Sequence, residues 1–194
     1  MSKPAPSRRR SLIGRFVRAR RGSTAVEFAM IAFPLMLLLF GVLELAMVFM
    51  ASATLEDATE GASRRIRTGE FQQGGASSKS DFVTSVCSGM SWLSAGCSST
   101  LHVDVQTFAS YADAANAKDD AFKLNPNTAT CFSPGNPRDI VMVRTFMEWK
   151  LFTPLLSGAL ANMGGSSGKR LLISTTAFRN EPFGSAAPKG ASCT

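Results

Sequence analysis

The distribution of hydrophobic and polar positions divides the chain into three parts. Residues 1–22 are basic and lack apolar periodicity. Phe28–Ala53 then carries a single charge, Glu44. At about 1.5 Å per residue this segment would reach roughly 39 Å as a helix, enough to cross a hydrocarbon core of about 30 Å. We therefore predict a transmembrane helix over residues 23–53.

Helical spacing continues beyond this span, but only one face stays apolar. The apolar positions of Thr54–Thr68 are Leu55, Ala58, Ala62 and Ile66. Recurrence every three or four residues is typical of an amphipathic helix. We predict a stalk helix over residues 54–69 that ends at Gly69, where a glycine can terminate the helix.

Residues 70–194 are predicted to form a small domain. Gln72–Ser80 is interpreted as a flexible joint and Gly164–Gly168 as a turn-rich loop. The predicted helices are Asp81–Leu93, Ala112–Phe122 and Pro154–Met163, and the predicted strands are Leu101–Phe108, Asp139–Trp149 and Leu171–Arg179. Alternation in the first strand turns His102, Asp104 and Gln106 towards solvent. The fold class is α+β, with an antiparallel sheet packed on helices.

The positive charge is concentrated in the first part of the chain. Of the 21 lysines and arginines, eight lie in residues 1–22, which contain no acid; 13 basic and 14 acidic residues remain elsewhere. A basic run directly before a hydrophobic span holds that end in the cytoplasm. Nucleic-acid binding would need basic residues that contact phosphates. The net charge of +7 therefore indicates a topogenic leader, and we predict no nucleic-acid partner.

The four cysteines, Cys87, Cys97, Cys131 and Cys193, all follow the hydrophobic span. None belongs to a CxxC pair and His102 is the single histidine, so we expect no metal site. An even number in an exported domain indicates disulfides, for which three pairings are possible. We favour Cys87–Cys97, a local loop whose closure contributes roughly 3 kcal/mol. The second pair, Cys131–Cys193, would hold the C-terminal tail against the sheet.

The domain shows no pattern typical of catalysis. It has no Walker lysine loop and no HExxH motif. Asp113, Asp119 and Asp120 lack the spacing of a calcium loop and are interpreted as solvated. Four aromatic residues are expected in the core, with a partner-binding patch as the alternative: Trp92, Phe146, Trp149 and Phe152. We predict a protein that is not an enzyme and needs no cofactor.

The junction between leader and span reads GSTAVEF over residues 22–28. A glycine followed five residues later by a glutamate resembles the prepilin processing signal, which a membrane aspartyl peptidase cuts after the glycine. The resemblance places the scissile bond between Gly22 and Ser23, with Glu27 and Phe28 at mature positions five and six. A glycine lets the backbone approach a catalytic pair closely, and the arginines would hold the bond at the cytoplasmic membrane face.

Longer segments extend this likeness, namely Ala25–Pro34 (AVEFAMIAFP), Phe40–Met50 (FGVLELAMVFM), Ile66–Gly69 (IRTG) and Phe178–Phe183 (FRNEPF). Together they resemble TadE-like minor pilins (pseudopilins) of tight-adherence, or Flp-type, pilus assembly. Major Flp pilins usually carry Glu-Tyr and end soon after the hydrophobic helix. The Glu27-Phe28 pair and the large C-terminal domain therefore favour a minor pilin.

The resemblance implies a single-pass inner-membrane protein with a cytoplasmic N-terminus and a periplasmic domain. It also implies the class of partner: a prepilin peptidase, other minor pilins or the major Flp pilin, and the pilus platform proteins. Residues 1–22 would be the cleaved leader. Incorporation into the pilus is one of the possible fates of the mature protein.

Three residues of the hydrophobic segment bear on assembly. Glu27 would lie about 6 Å inside the helix, where a carboxylate is costly unless paired; the resemblance implies the freed amine of a neighbouring subunit as its partner. For Glu44 we favour snorkelling to the outer interface, with a bond to another subunit's helix as the alternative. Pro34 removes a backbone donor and predicts a local kink.

Two other functions stay open at this point. Ala51-Ser52-Ala53 fits the small-x-small rule of signal peptidase, whose cleavage would release a soluble domain. A membrane-anchored enzyme or ligand sensor would need polar groups that converge on a pocket. His102 and Asp113–Asp120 are the places to look for one.

Overall fold

The computed structural model describes residues 22–74, 78–117, 130–153, 158–163 and 168–184. Its helices are α1 (Ser23–Arg67), α2 (Glu70–Gln73), α3 (Lys79–Gly89), α4 (Cys97–Thr100) and α5 (Tyr111–Asn116). Its strands are β1 (Leu101–Phe108), β2 (Ile140–Lys150) and β3 (Lys169–Arg179), which form an antiparallel sheet in the order β1–β2–β3. The predicted α+β class is confirmed: a long apolar helix precedes a small domain of helices and a three-stranded antiparallel sheet.

The chain divides into two compact units between Leu43 and Glu44. In the first unit, the described part of α1 carries exposed apolar side chains nearly all round, including Phe28, Ile31 and Leu38. Such a helix buries little against its own unit and needs an apolar environment. Among the described helices, α1 is the one that is long and apolar enough to cross a membrane.

The core of the second unit is built on the C-terminal half of α1. Its buried apolar side chains are Val48, Ala51, Leu55, Ala58, Ala62 and Ile66. Spacings of three and four residues place them on one face, which faces the same core as Val103, Val105 and Val143 of the sheet. Thr59 and Thr145 add a hydroxyl–hydroxyl hydrogen bond of 2.7 Å inside this contact. The face of α1 that the sequence predicts as apolar is therefore the face that packs in this core.

A second part of the core is aromatic and fixes α2 and α3. Phe71, Phe82 and Phe132 are almost completely buried, with ring centroids 5.9–6.0 Å apart. The first turn of α3 is held by a reciprocal capping box between Ser78 and Asp81. Helix α3 therefore begins two residues before the predicted start, and a 3₁₀ turn at Ser91–Leu93 completes the predicted segment.

The other predicted elements differ from the structure mainly at their ends. Each strand lies within two residues of its prediction. The predicted joint is partly helical, since α2 includes Gln72 and Gln73. The predicted helices Ala112–Phe122 and Pro154–Met163 are helical over 111–116 and 158–160 in the described residues. Residues 118–129, 154–157 and most of Gly164–Gly168 lie outside those residues.

Asp104 was expected to face solvent, and this prediction is wrong. Its side chain is only 2% exposed because neighbouring segments cover the outer face of β1. Arg144, its register partner on β2, donates through Nε at 2.9 Å and through Nη2. The backbone N–H of Cys131 donates to the same carboxylate at 2.8 Å, and Arg144 also donates to the carbonyl of Ala117 at 3.0 Å. The pair is a buried polar contact between β1 and β2.

Replacing Arg144 with methionine should leave the Asp104 carboxylate buried without its cation. We expect a loss of about 3–5 kcal/mol in the free energy of unfolding, because a broken buried pair costs more than the intact pair contributes. Chemical denaturation of the full chain in detergent, followed by circular dichroism, measures it. The double variant Asp104→Leu/Arg144→Met should be less destabilised than the single one. A loss below about 1 kcal/mol for Arg144→Met would contradict this account.

The C-terminal end of α1 is closed by the chain that follows β3. The backbone N–H of Glu181 donates to the carbonyl of Arg67 at 2.9 Å, and the two side chains form an ion pair at 3.4 Å. A helix end leaves carbonyls without partners, so this bond satisfies one of them. Gly69 follows in the left-handed region at φ 78°, and the Phe183 ring packs directly on it. Two segments noted in the sequence, IRTG and FRNEPF, thus meet in space.

Gly69→Ala should destabilise the second unit. A Cβ at Gly69 would lie 2.2 Å from Cγ of Phe183, and the left-handed backbone alone costs a non-glycine residue about 1–3 kcal/mol. Gly61→Ala is the matched control, because a Cβ there meets open space on an ordinary helix. We expect that control to be neutral or more stable by about 0.5–1 kcal/mol. Equal denaturation midpoints for the two variants would show that the Phe183 contact is unimportant.

Candidate assembly surfaces along the long helix

The proposed processing junction lies at the first residues of α1. Gly22 is exposed and directly precedes the helix, which begins at Ser23. A Cβ built on Gly22 would meet no atom within 4 Å, and its φ is not in the left-handed region. The local fold therefore does not require a glycine at this position. The predicted leader, residues 1–21, lies outside the described residues.

The structure places the two other junction residues on the surface of α1. The side chains of Glu27 and Phe28 are exposed, as is that of Pro34, which is accommodated inside the helix. Ala25, Val26, Ala29, Met30 and Phe33 line an apolar depression of about 550 Å³ in the first unit. An apolar surface with small residues suits close approach by lipid chains or another apolar helix.

Glu44 is the first residue of the second unit and is only 4% exposed. Its carboxylate accepts the backbone N–H of Phe152 at 2.5 Å and that of Thr153 at 2.7 Å. From the sequence, Glu44 was expected either to extend to the outer membrane interface or to bond to another subunit's helix. Neither arrangement includes these bonds. The partner is in the same chain, at the point where it leaves β2, so Glu44 clamps the end of that strand to α1.

Glu44→Ala should release this clamp. Two N–H groups would lose charge-assisted acceptors, each contributing about 1.5–3 kcal/mol. We expect amide hydrogen exchange at Phe152 and Thr153 to accelerate roughly ten- to a hundredfold. Mass spectrometry of the full chain in detergent measures it. Glu56→Ala, at an exposed position of the same helix, should leave this exchange unchanged. Unchanged exchange in both variants would rule out the clamp.

A disulfide joins Cys87 at the end of α3 to Cys97 at the start of α4, the first of the two favoured pairs. It encloses the 3₁₀ turn that carries Trp92. Cys131 is also disulfide-bonded, and Cys193 lies outside the described residues. The pairing Cys131–Cys193 therefore stays a prediction.

A groove of about 420 Å³ runs between α1 and β3. Charged residues of α1 line one side and Thr176, Ala177 and Phe178 the other; the charged residues are Asp57, Glu60, Arg64 and Arg67. Ser63 lines it too, and its buried hydroxyl has no hydrogen-bond partner in the described parts of the chain. Strand β3 forms an edge of the sheet there, so the groove offers polar groups and a strand edge to a partner.

Two places were named for a possible catalytic pocket, His102 and Asp113–Asp120. His102 is half-buried on β1. Asp113 lies in the first turn of α5, where the hydroxyl of the N-cap Ser110 accepts its backbone N–H and donates to its carboxylate. Asp119 and Asp120 lie outside the described residues. Within residues 22–74, 78–117, 130–153, 158–163 and 168–184, no three His, Cys, Asp or Glu side chains are grouped so as to hold a metal ion.

The aromatic residues expected in the core divide into two pairs. Phe146 and Trp149 are buried, as expected. Trp92 and Phe152 are exposed by 45% and 64%, so the expectation is wrong for them. They extend beyond the edge of the core because each lies just outside the regular element that precedes it, α3 or β2.

Comparison with known protein families bears on the same helix. The family model described as TadE-like protein matches residues 22–64. This segment of the chain is similar to that family. The match covers α1 nearly from end to end and begins at Gly22, so the resemblance found in the sequence is confirmed there. No curated protein and no solved structure matches the chain.

The TadE-like match supports a role associated with the Tad pilus and with pilus assembly components in general. Proteins of this family are structural rather than enzymatic. A membrane anchor is consistent with the single described helix that could cross a bilayer. Sequence reasoning missed the clamp at Glu44 and the Asp104–Arg144 pair. For the clamp, the signal available in the sequence was the charged residue Glu44 inside an otherwise apolar segment.

Proposed function

We propose that this protein is a non-enzymatic minor pilin, or pseudopilin, of Tad (Flp-type) pilus assembly. It is anchored in the inner membrane by α1, with its N-terminus in the cytoplasm and its domain in the periplasm. The observation that carries the proposal is the TadE-like match, which begins at residue 22 and extends along α1 to residue 64. A prepilin peptidase would remove residues 1–22, and assembly would proceed through helix–helix and domain contacts.

The chemistry at Gly22 supports processing at this bond. A glycine that the local fold does not need is explained by recognition from outside, because a peptidase must reach an extended backbone without side-chain obstruction. The basic residues before it would hold the bond at the cytoplasmic face. Ser23 then becomes the new N-terminus and Glu27 the fifth residue of the mature chain.

The exposed apolar surface of the first unit supports contact with other helices. Side chains such as Val26, Phe28 and Ile31 are more than half exposed and would be covered by lipid or by neighbouring subunits. Glu27 is the one charged residue in the described part of this unit. A carboxylate in hydrocarbon favours a cationic partner, and the freed amine of a neighbouring subunit supplies one.

The packing of α1 argues against the alternative of a soluble domain released by signal peptidase. Cleavage after Ala53 would remove Val48 and Ala51, both buried in the core of the second unit. It would also remove Glu44 and so leave the N–H groups of Phe152 and Thr153 without their acceptor. The anchored protein keeps these contacts, and a released domain loses them.

The mature protein should begin at Ser23. Intact-mass spectrometry of the chain purified from membranes of a strain with an active prepilin peptidase measures this directly. Gly22→Leu should block cleavage because a bulky side chain hinders approach to the backbone. Gly14→Leu, a second glycine of the leader, is the matched control and should be processed normally. Intact Met1, or a terminus other than Ser23, would contradict the proposal.

A further inference from the structure

The second unit carries an aromatic cluster where β2 ends. We call it the aromatic end and define it as Trp92, Trp149 and Phe152. The ring of Trp149 lies 6.1 Å from that of Trp92 and 6.1 Å from that of Phe152, both in edge-to-face arrangements. Trp149 is buried and supports the other two, which are exposed. The cluster therefore presents a rigid aromatic surface.

This cluster is fixed to one level of α1. Phe152 and Thr153 donate their backbone N–H groups to Glu44, so Phe152 lies beside the turn of α1 that contains Glu44. Glu44 is the first residue of the second unit and directly follows Leu43, the last residue of the first unit. The aromatic end is thus held at the first turn of α1 within the second unit.

The helix surface at this level is also apolar. Side chains of α1 that point away from the core are Leu45, Met47, Phe49 and Met50, each at least 36% exposed. Beyond Glu44, the first exposed acidic residues of α1 are Glu56 and Asp57. Glu44 and Ala53 are about 13 Å apart along the axis. Along this stretch of α1, exposed apolar side chains lie on both the helix and the adjacent aromatic end. This favours an apolar or interfacial environment.

The chemistry of the cluster favours the bilayer interface over bulk water. Tryptophan and tyrosine rings concentrate where headgroups meet acyl chains, because each combines an apolar ring with a polar N–H or O–H group. Lys150 is exposed and precedes the cluster, whereas Lys169, opposite it in the register of β2 and β3, pairs with Glu148 at 2.7 Å. Lysines near apolar surface extend their ammonium groups towards lipid phosphates.

We propose that the aromatic end is inserted into the outer interfacial region of the membrane that α1 crosses, so that the domain is partly seated in the bilayer. The inference rests on the proposed anchoring by α1. Its occupant is lipid rather than another protein. Seating would fix the height and tilt of the domain above the membrane and would orient the groove beside β3.

The chain contains only two tryptophans and one tyrosine, which allows a direct test. The full chain with Trp149→Phe has Trp92 as its single tryptophan. It is reconstituted in vesicles of phosphatidylcholine and phosphatidylglycerol that contain lipids with a nitroxide near the headgroup or near the bilayer centre. We expect quenching of Trp92 to be about twofold or more stronger for the shallow nitroxide, with little quenching by acrylamide.

A matched reporter comes from the opposite end of the sheet. Tyr111 is exposed and follows the C-terminal end of β1, while the aromatic end lies beyond the C-terminal end of antiparallel β2. The variant Trp92→Phe/Trp149→Phe/Tyr111→Trp should show strong acrylamide quenching and no preference among nitroxide lipids. Circular dichroism and the mass of the Cys87–Cys97 disulfide peptide confirm that both variants fold.

An alkaline wash of the same vesicles separates the two hypotheses. Release of the protein would contradict anchoring by α1 and the proposed function with it. If the protein is retained but Trp92 is quenched by acrylamide and not by the nitroxide lipids, the aromatic end is not inserted into the membrane. Anchoring by α1 would still hold. Retention with Trp92 shielded from both quenchers would also overturn seating and assign the cluster to a protein contact. Shallow nitroxide quenching in the retained protein supports the proposal.

Discussion

The contact between the C-terminal half of α1 and the sheet determines the rest of the structure. Its buried stripe combines alanines with larger residues such as Leu55 and Ile66. Small side chains allow close approach: a Cβ added to Gly89 of α3 would lie only 3.2 Å from the Cβ of Ala58. Since packed interiors tolerate few voids, this closeness fixes how α3 and the sheet meet the helix. The groove, the clamp at Glu44 and the aromatic end all take their positions from it.

One helix therefore serves in two environments. Up to Leu43 its described surface is apolar nearly all round, whereas beyond Glu44 one face packs in a protein core. On the opposite face, the first exposed acidic residue beyond Glu44 is Glu56. The packed face of α1 therefore begins before the acidic face does. This offset is explained if the folded domain begins where α1 is still in apolar surroundings. Insertion of the aromatic end into the membrane interface is the arrangement that accommodates this offset.

Local patterns predicted most of the fold. The alternation in Leu101–Phe108 matched β1 residue for residue, and the short Cys87–Cys97 loop matched the disulfide. The environment of Asp104 was not predictable in this way, because alternation says which residues share a face and not what covers that face. Its pairing with Arg144 depends on a register across 40 residues of sequence. The exposure of Trp92 depends likewise on where α3 ends against the sheet.

Glu44 shows how an unfavourable residue becomes a structural requirement. A carboxylate at the end of an apolar helix is costly without donors, and the chain that leaves β2 has N–H groups that no longer join the ladder. The Glu44 carboxylate accepts the N–H groups of Phe152 and Thr153, so the acceptor and the two donors satisfy one another. A shift of the helix by one turn, about 5.4 Å, would break both bonds at once. The charge thus sets the height of the domain along α1, which hydrophobic packing alone specifies less sharply because apolar contacts have no direction.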